Sequence, residues 1–424
     1  MFVLATLLIC LITLIIVYLW TIKSRYSYFE QRGIPCPPFR FFFGHSKTIW
    51  STPRKTDQLQ KWTRQFGSIY GLYKGSRPVY IVSDADFLQE VFTKQFSSFH
   101  SRHLPFVLRE KAEETVAYDF DKNLLVRLSQ LMPWLIPLLT YVMTRQILLQ
   151  RFANKFIRSI EEIPRFWLIE RLKYLIDVRT SSSDKEGKNR RVDLLQLMLD
   201  VATRNEIMDH TDVAVMSKFL HYDEVSHNML TFMVAGYETT ATTLGYSTYI
   251  LAKEPLVQKK LQDEIDNYDE NKNEYDQVHS MIYLDWFIRE VLRMFPAAPQ
   301  VTTRECNRTT VVCGHTIDEG SVIQADVLSV HYNPDLWGPE DPNIFLPERH
   351  STPRHPAAYL PFGIGPRNCI GKRFALMETK LCLARLLRQY SIYPSDQMEE
   401  KFELEDTSFI LHPKSVYVKI VKRS

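Results

Sequence analysis

Cys369 stands in the run Phe362-Gly363-Ile364-Gly365-Pro366-Arg367-Asn368-Cys369-Ile370-Gly371. Glycine and proline make this run a turn with little side-chain bulk. An apolar stretch rich in helix formers follows, from Ile370 to about Leu387. A thiolate at the start of a helix, in a loop whose backbone can be approached closely, suits the metal of a flat cofactor. The metal and the helix N-terminus both favour the thiolate form. The rival reading is an inert cysteine buried after a turn. With Phe362, Gly365, Arg367, Cys369 and Gly371 fixed at roughly one in twenty each, a chance match among about 400 starts is on the order of one in ten thousand.

Two further groups have types and spacing that bear on chemistry. Ala235-Gly236-Tyr237-Glu238-Thr239-Thr240 lies in a long apolar helix predicted from about Asp223 to Lys253. Ala235 and Thr239 are four apart and share a face. Alone this is a weak signal, since Gly and Thr in a buried helix commonly serve packing or back-bonding. Glu290 and Arg293 are three apart on another predicted helix, so carboxylate and guanidinium meet. An exposed pair of that kind contributes only about 0.3–0.5 kcal/mol.

The cysteine run has the Phe-x-x-Gly-x-Arg-x-Cys-x-Gly form of the haem-thiolate monooxygenases, and the chain resembles the cytochrome P450 family of animal microsomal type. The resemblance implies a mainly helical fold with a small β-rich lobe, and haem b (iron protoporphyrin IX) as cofactor. It assigns Cys369 to iron, where a thiolate donates electron density and promotes O–O cleavage. Gly365 permits the turn, Gly371 lets the next helix lie close to the macrocycle, and Phe362 shields the sulfur. Arg367 and Arg304 reach the propionates, although a solvated strand-edge arginine is the plainer reading of Arg304. Glu238 and Thr239 manage protons at the bound oxygen. Ala235, Ala298 and Val301 line the substrate cavity. The Glu290–Arg293 pair is joined by Arg349 of Pro347-Glu348-Arg349 in a buried triad that holds the cysteine loop. The family usually has Phe after that arginine; here it is His350.

The elements that must position these residues are legible in outline. Ile69–Tyr73 and Pro78–Val82 read as a hairpin around Lys74-Gly75-Ser76-Arg77. Ser83 is placed to cap a helix from about Asp84 to Lys94. Thr309–Val330 carries strand pattern, and Ser181–Arg191 is a polar loop. Three prolines within Ile34-Pro35-Cys36-Pro37-Pro38 make a stiff extended spacer.

Residues Phe2 to Thr21 are almost wholly apolar, long enough for a bilayer core, and Lys23 and Arg25 follow. Bulky Tyr18, Leu19 and Trp20 stand where a signal-peptide cleavage site needs small residues. The expected organisation is an anchor over residues 1–22, a basic and proline-rich hinge over 23–38, and a haem-thiolate domain over 39–424. The corresponding location is the endoplasmic reticulum membrane, with the catalytic domain cytoplasmic. A net charge of +3 gives no argument for nucleic acid. The six cysteines contain no Cys-x-x-Cys pair, which fits a reducing compartment. Cys306, Cys313 and His315 lack a second ligand pair at zinc spacing.

Compared with full-length microsomal relatives the chain is shorter by roughly 80 or more residues. The family segment missing around 104–131 normally carries a Trp-x-x-x-Arg clamp on the propionates. The formula recurs at Trp167–Arg171, where it reads as coincidence. Leu108–Asp119 is a charged stretch that a short helix could bridge. Two classes of function follow. One is a monooxygenase inserting one oxygen atom from O2 into an apolar substrate, with electrons from NADPH-dependent cytochrome P450 reductase and a role for cytochrome b5. The other is a shortened, non-catalytic isoform or gene model with poor haem binding that acts only through membrane partners.

Overall fold

The computed structural model describes residues 2–101, 164–181, 193–203, 220–267, 273–400, 402–406 and 410–423. The interval 104–131, the stretch Leu108–Asp119 and residues 182–191 lie outside that set. Among the described residues, those up to 101 and from Thr239 onward form one compact unit, and those from 164 to 238 a second.

The helices are α1 (Phe2–Arg25), α2 (Ser46–Ser51), α3 (Lys55–Phe66), α4 (Ala85–Gln89), α5 (Pro164–Ser181), α6 (Leu194–Asp200), α7 (Tyr222–Lys253), α8 (Pro255–Asp266), α9 (Glu274–Ser280), α10 (Ile282–Met294), α11 (Val327–His331), α12 (Pro334–Trp337) and α13 (Lys372–Gln389). The strands are short: β1 (Ile69–Lys74), β2 (Arg77–Val82), β3 (Ala202–Thr203), β4 (Leu220–His221), β5 (Thr303–Glu305), β6 (Thr310–Val312), β7 (His315–Ile317), β8 (Val322–Ala325), β9 (Tyr390–Pro394), β10 (Leu404–Asp406), β11 (Leu411–Pro413) and β12 (Val418–Lys422). This is the mainly helical architecture with a small β-rich part that the resemblance implies.

The largest sheet has the order β1-β2-β8-β5 and is drawn from segments over 200 residues apart in sequence. β1 and β2 form the expected hairpin, closed by Gly75-Ser76 with Gly75 at φ 61°. β2 pairs with β8 in parallel, Val79 opposite Val322 and Val82 opposite Ala325. The paired stretches Val79–Val82 and Val322–Ala325 are buried throughout and, Gln324 apart, hydrophobic, as central strands covered on two faces require. A second core joins α7, α8, α10 and α13 through Tyr246, Leu261, Phe287, Val291 and Leu387.

Two boundaries differ from expectation. The cap of α4 is Asp84, whose carboxylate accepts from Phe87 N at 2.8 Å. Ser83 is still held by the sheet through its amide to the Ser68 carbonyl at 2.8 Å. The strand pattern read through Val330 stops at Ala325. Asp326 caps a helical turn there, accepting from Ser329 N at 3.2 Å and Ser329 Oγ at 2.6 Å. Local capping chemistry outweighs the β-branched composition of Val327 and Val330.

The proline-rich segment is tied to the sheet lobe. The Pro35 carbonyl accepts from Gly71 N at 2.8 Å, and His45 Nε2 donates to the Pro37 carbonyl at 2.9 Å. Near the end of α1, Ile22 is buried in the same core as Tyr26 and Phe29. Among the described residues, no helix is long and apolar enough to cross a membrane. The anchor expected over residues 1–22 therefore gains no support from the described fold.

Candidate haem-thiolate site

Cys369 is exposed, in a turn between Leu360 and α13. Its amide donates to the Phe362 carbonyl at 2.8 Å, and the Asn368 amide to the Gly365 carbonyl at 3.1 Å. These bonds close the loop on itself and fix where the sulfur leaves it. Gly365 has φ 77°, and a Cβ built there would lie 1.9 Å from the Phe92 carbonyl oxygen. Only glycine meets both conditions. Gly371, the residue before α13, has φ −83°, and an added Cβ would meet only Cys369 Sγ, at 3.9 Å. Its own backbone therefore makes no demand for glycine.

Phe92 is a shared neighbour. It sits in the π-helical turn Glu90–Lys94. The Arg304 guanidinium lies 4.6 Å from its ring centroid, while its carbonyl faces Gly365. Arg304 is buried on β5 and donates from Nη1 to the Thr303 carbonyl at 2.7 Å. The solvated-arginine reading is thus excluded for it. Arg367 is exposed beside Cys369, and Phe362 is half-buried with Lys372 Nζ 5.9 Å from its ring centroid.

The surface around the sulfur suits a flat apolar group. Ile370 is 85% exposed and Phe374 68% exposed, one and five residues after Cys369 in sequence. Apolar side chains this bare gain about 25 cal/mol for each Å² that a covering group removes from water.

The charged cluster beneath the loop is complete. Glu290, Arg293 and Arg349 have side chains with no exposure. Glu290 Oε2 accepts from Arg293 Nε at 2.8 Å. Glu290 Oε1 accepts from Arg293 Nη2 at 2.9 Å, Arg349 Nε at 2.9 Å and Leu346 N at 3.1 Å. His350, whose effect the sequence left open, is a fourth member, its Nε2 3.0 Å from Glu290 Oε2. Burial pushes the His350 imidazole down, against the pull of Glu290, and because a carboxylate only accepts, Nε2 is the donor. Burial works to raise the Glu290 carboxyl, but hydrogen bonds from Arg293 and His350 outweigh it and hold the group at about 2.

Sequence reasoning missed His331. It is fully buried at the end of α11. Its Nδ1 bonds the Arg293 carbonyl at 2.8 Å, and its Nε2 accepts from Leu360 N at 2.8 Å. Burial above all pushes its pKa down to about 3. Phe92 was also missed, since nothing near it in sequence marks it.

Ala235, Glu238 and Thr239 lie on α7, which runs as an unbroken α-helix. The helix carries no bulge at Gly236, where an added Cβ would meet nothing within 4 Å. Glu238 is exposed, and the Thr239 carbonyl accepts from Thr243 Oγ1 at 2.8 Å. Ala298 and Val301 share a turn after α10, Ala298 half-buried and Val301 47% exposed. On α5, Arg171 stacks on Trp167 at 5.5 Å to the ring centroid, one helical turn away. All six cysteines are free thiols, and among the described residues no group of three or more His, Cys, Asp or Glu could hold a metal ion.

A mainly helical fold, an exposed cysteine in a glycine-locked turn and a buried Glu-Arg-Arg cluster together define a haem-thiolate protein. The cytochrome P450 family model matches residues 122–420. The chain belongs to the cytochrome P450 family. It is 28% identical over 515 aligned positions to the putative cytochrome P450 CYP13A5 of Caenorhabditis elegans, covering 97% of each chain. It is 29% identical to the putative cytochrome P450 CYP13A3 of the same organism, covering 88% of this chain and 90% of that one. It is 28% identical to cytochrome P450 3A31 of Mesocricetus auratus, covering 94% and 93%. The alignment to CYP13A5 has 515 positions against 424 residues here, so that relative carries residues with no counterpart in this chain. Members of the family bind haem and act as oxidoreductase monooxygenases.

Proposed function

We propose that this chain is a membrane-attached haem monooxygenase that inserts one oxygen atom into an apolar organic substrate. The carrying observation is the exposed Cys369, held by its amide to Phe362 and locked by Gly365 against Phe92. Bound haem supplies the oxygen-activating chemistry. Cys369 ligates it, Ile370 and Phe374 cover its apolar face, and Arg304 and Arg367 bind its propionates. Thr239 and Glu238 hold and pass the protons that oxygen activation consumes, while Ala235, Ala298 and Val301 shape the space for substrate. Lys372 and Arg373, just after the cysteine, favour an acidic partner surface, which suits NADPH-dependent cytochrome P450 reductase and cytochrome b5. The endoplasmic reticulum location rests on the apolar run Phe2–Thr21, carried on α1, with Lys23 and Arg25 in its last turn.

A second reading, a shortened chain without catalysis, is favoured by one observation, the 424 residues set against 515 aligned positions. Its natural seat is the stretch around 104–131. One measurement separates the two. The full chain is expressed with haem, reduced and exposed to carbon monoxide. A red-shifted Soret band of thiolate-ligated haem supports the monooxygenase; well-folded protein without that band leaves only the second reading.

A further inference from the structure

We propose that His331 is a positioning residue for the haem ligand: its imidazole couples the Glu290–Arg293–Arg349 cluster to the strand of chain that enters the cysteine loop. The proposal rests on the haem-thiolate reading of Cys369. A carbonyl oxygen only accepts, so the proton must be on Nδ1, facing Arg293 O at 2.8 Å. A backbone amide only donates, so Nε2 must be bare, facing Leu360 N at 2.8 Å. One neutral tautomer satisfies both, and neither contact survives exchange of the two roles.

The residue grips Arg293 twice. Arg293 Nη1 donates to the His331 carbonyl at 2.7 Å, while the ring holds the Arg293 carbonyl. On the far side, Leu360 is buried, and its carbonyl accepts from Gly363 N at 3.0 Å. Two residues on, the Phe362 carbonyl takes the Cys369 amide. The Tyr359 ring lies 5.9 Å from the imidazole at 17°, which restricts its rotation. A continuous set of buried hydrogen bonds therefore runs from Glu290 through Arg293 and His331 to the base of the ligand loop. Groups bonded directly to a metal ligand commonly change its hold by about 10- to 100-fold, and a residue acting one step further back is expected at the low end of that range.

Two substitutions split the ring's functions. The side-chain amide of His331→Gln reaches the Nε2 position and offers an oxygen to Leu360 N. His331→Asn places its amide near Nδ1 and leaves Leu360 N without an acceptor. In the full-length holoprotein, His331→Asn is expected to speed haem transfer to a haem-scavenging apoprotein by about tenfold or more and to shrink the thiolate Soret band, with His331→Gln within about threefold of wild type. Deuterium exchange around Leu360 should rise in the Asn variant alone. Equal behaviour of the two variants overturns the assignment, whether both resemble wild type, both lose the band or both fail to fold. So does a better Asn variant. Absence of the band in wild type refutes the haem reading instead, and the exchange comparison still decides whether His331 holds Leu360.

Discussion

Replacing Glu290 with glutamine keeps the shape of the side chain and removes its charge. Five hydrogen bonds converge on this carboxylate, from Arg293 twice, Arg349, His350 and Leu346. An amide puts a donor where one oxygen stood. If the NH2 faces Arg293 Nε and His350 Nε2, the histidine can switch tautomer and accept, but the guanidinium cannot. Two buried arginines then share no counter-charge. The carboxyl is held from 4.5 down to about 2, which at about 1.4 kcal/mol per tenfold amounts to about 3 kcal/mol. Breaking a buried ion pair by removing one partner costs about 3–5 kcal/mol, so two routes agree. Because the folded pKa is depressed, this stability is fully present above about pH 4.5 and is lost as pH falls toward about 2. Urea unfolding at pH 7 should show Glu290→Gln less stable by about 3 kcal/mol, with the gap closing below pH 4.5. A loss under about 1 kcal/mol at pH 7, or a gap indifferent to acid, would refute the argument.

His350→Phe deletes one of those five bonds and leaves both arginines paired, so urea unfolding should show a loss of only about 1 kcal/mol with the thiolate Soret band kept. Gly365→Ala places a methyl against the Phe92 carbonyl at positive φ and should cost at least about 2 kcal/mol along with haem content, whereas Gly236→Ala, with open space around it, should raise stability by about 0.5–1 kcal/mol. Thr239→Ala should keep haem but divert reduced oxygen to peroxide, seen as peroxide released per NADPH consumed; unchanged product yield would remove Thr239 from its assigned role.

The cysteine loop and the Glu290–Arg293 pair were readable because their parts lie within ten residues of each other, so spacing alone fixes who meets whom. The hairpin was readable for the same reason, its turn and both strands being contiguous. Arg349 came from resemblance, since 56 residues separate it from Arg293 and no periodicity connects them. His331 and Phe92 were invisible: His331 acts on backbone atoms of distant residues, Phe92 presents its own carbonyl and ring to distant residues, and the sequence around each looks ordinary. Arg304 shows the limit from the other side. The resemblance assigned it to a propionate, with an exposed strand edge as the alternative, and nothing in the sequence showed the long-range packing of β5 against the turn that carries Phe92, where it is buried.

The two arginines do more than neutralise one carboxylate. Between His331 and the 3-10 turn Pro347–Ser351 that carries Arg349, the chain has one short helix, α12, and otherwise irregular backbone whose carbonyls lack ladder partners. Arg293 donates to the carbonyls of His331 and Pro342; Arg349 donates to those of Trp337, Glu340, Asp341 and Ile344. The guanidinium forks thus supply the donors that a regular element would have provided, and the surplus positive charge is spread over six carbonyl oxygens. Lysine carries the same charge but has three donors on one atom, which cannot face the Glu290 carboxylate and four separated carbonyls together. Arg349→Lys should therefore lose about as much stability as Arg349→Ala, about 3 kcal/mol or more. If lysine instead restored most of the loss in urea unfolding, charge alone would explain the cluster, and the carbonyl argument would fail.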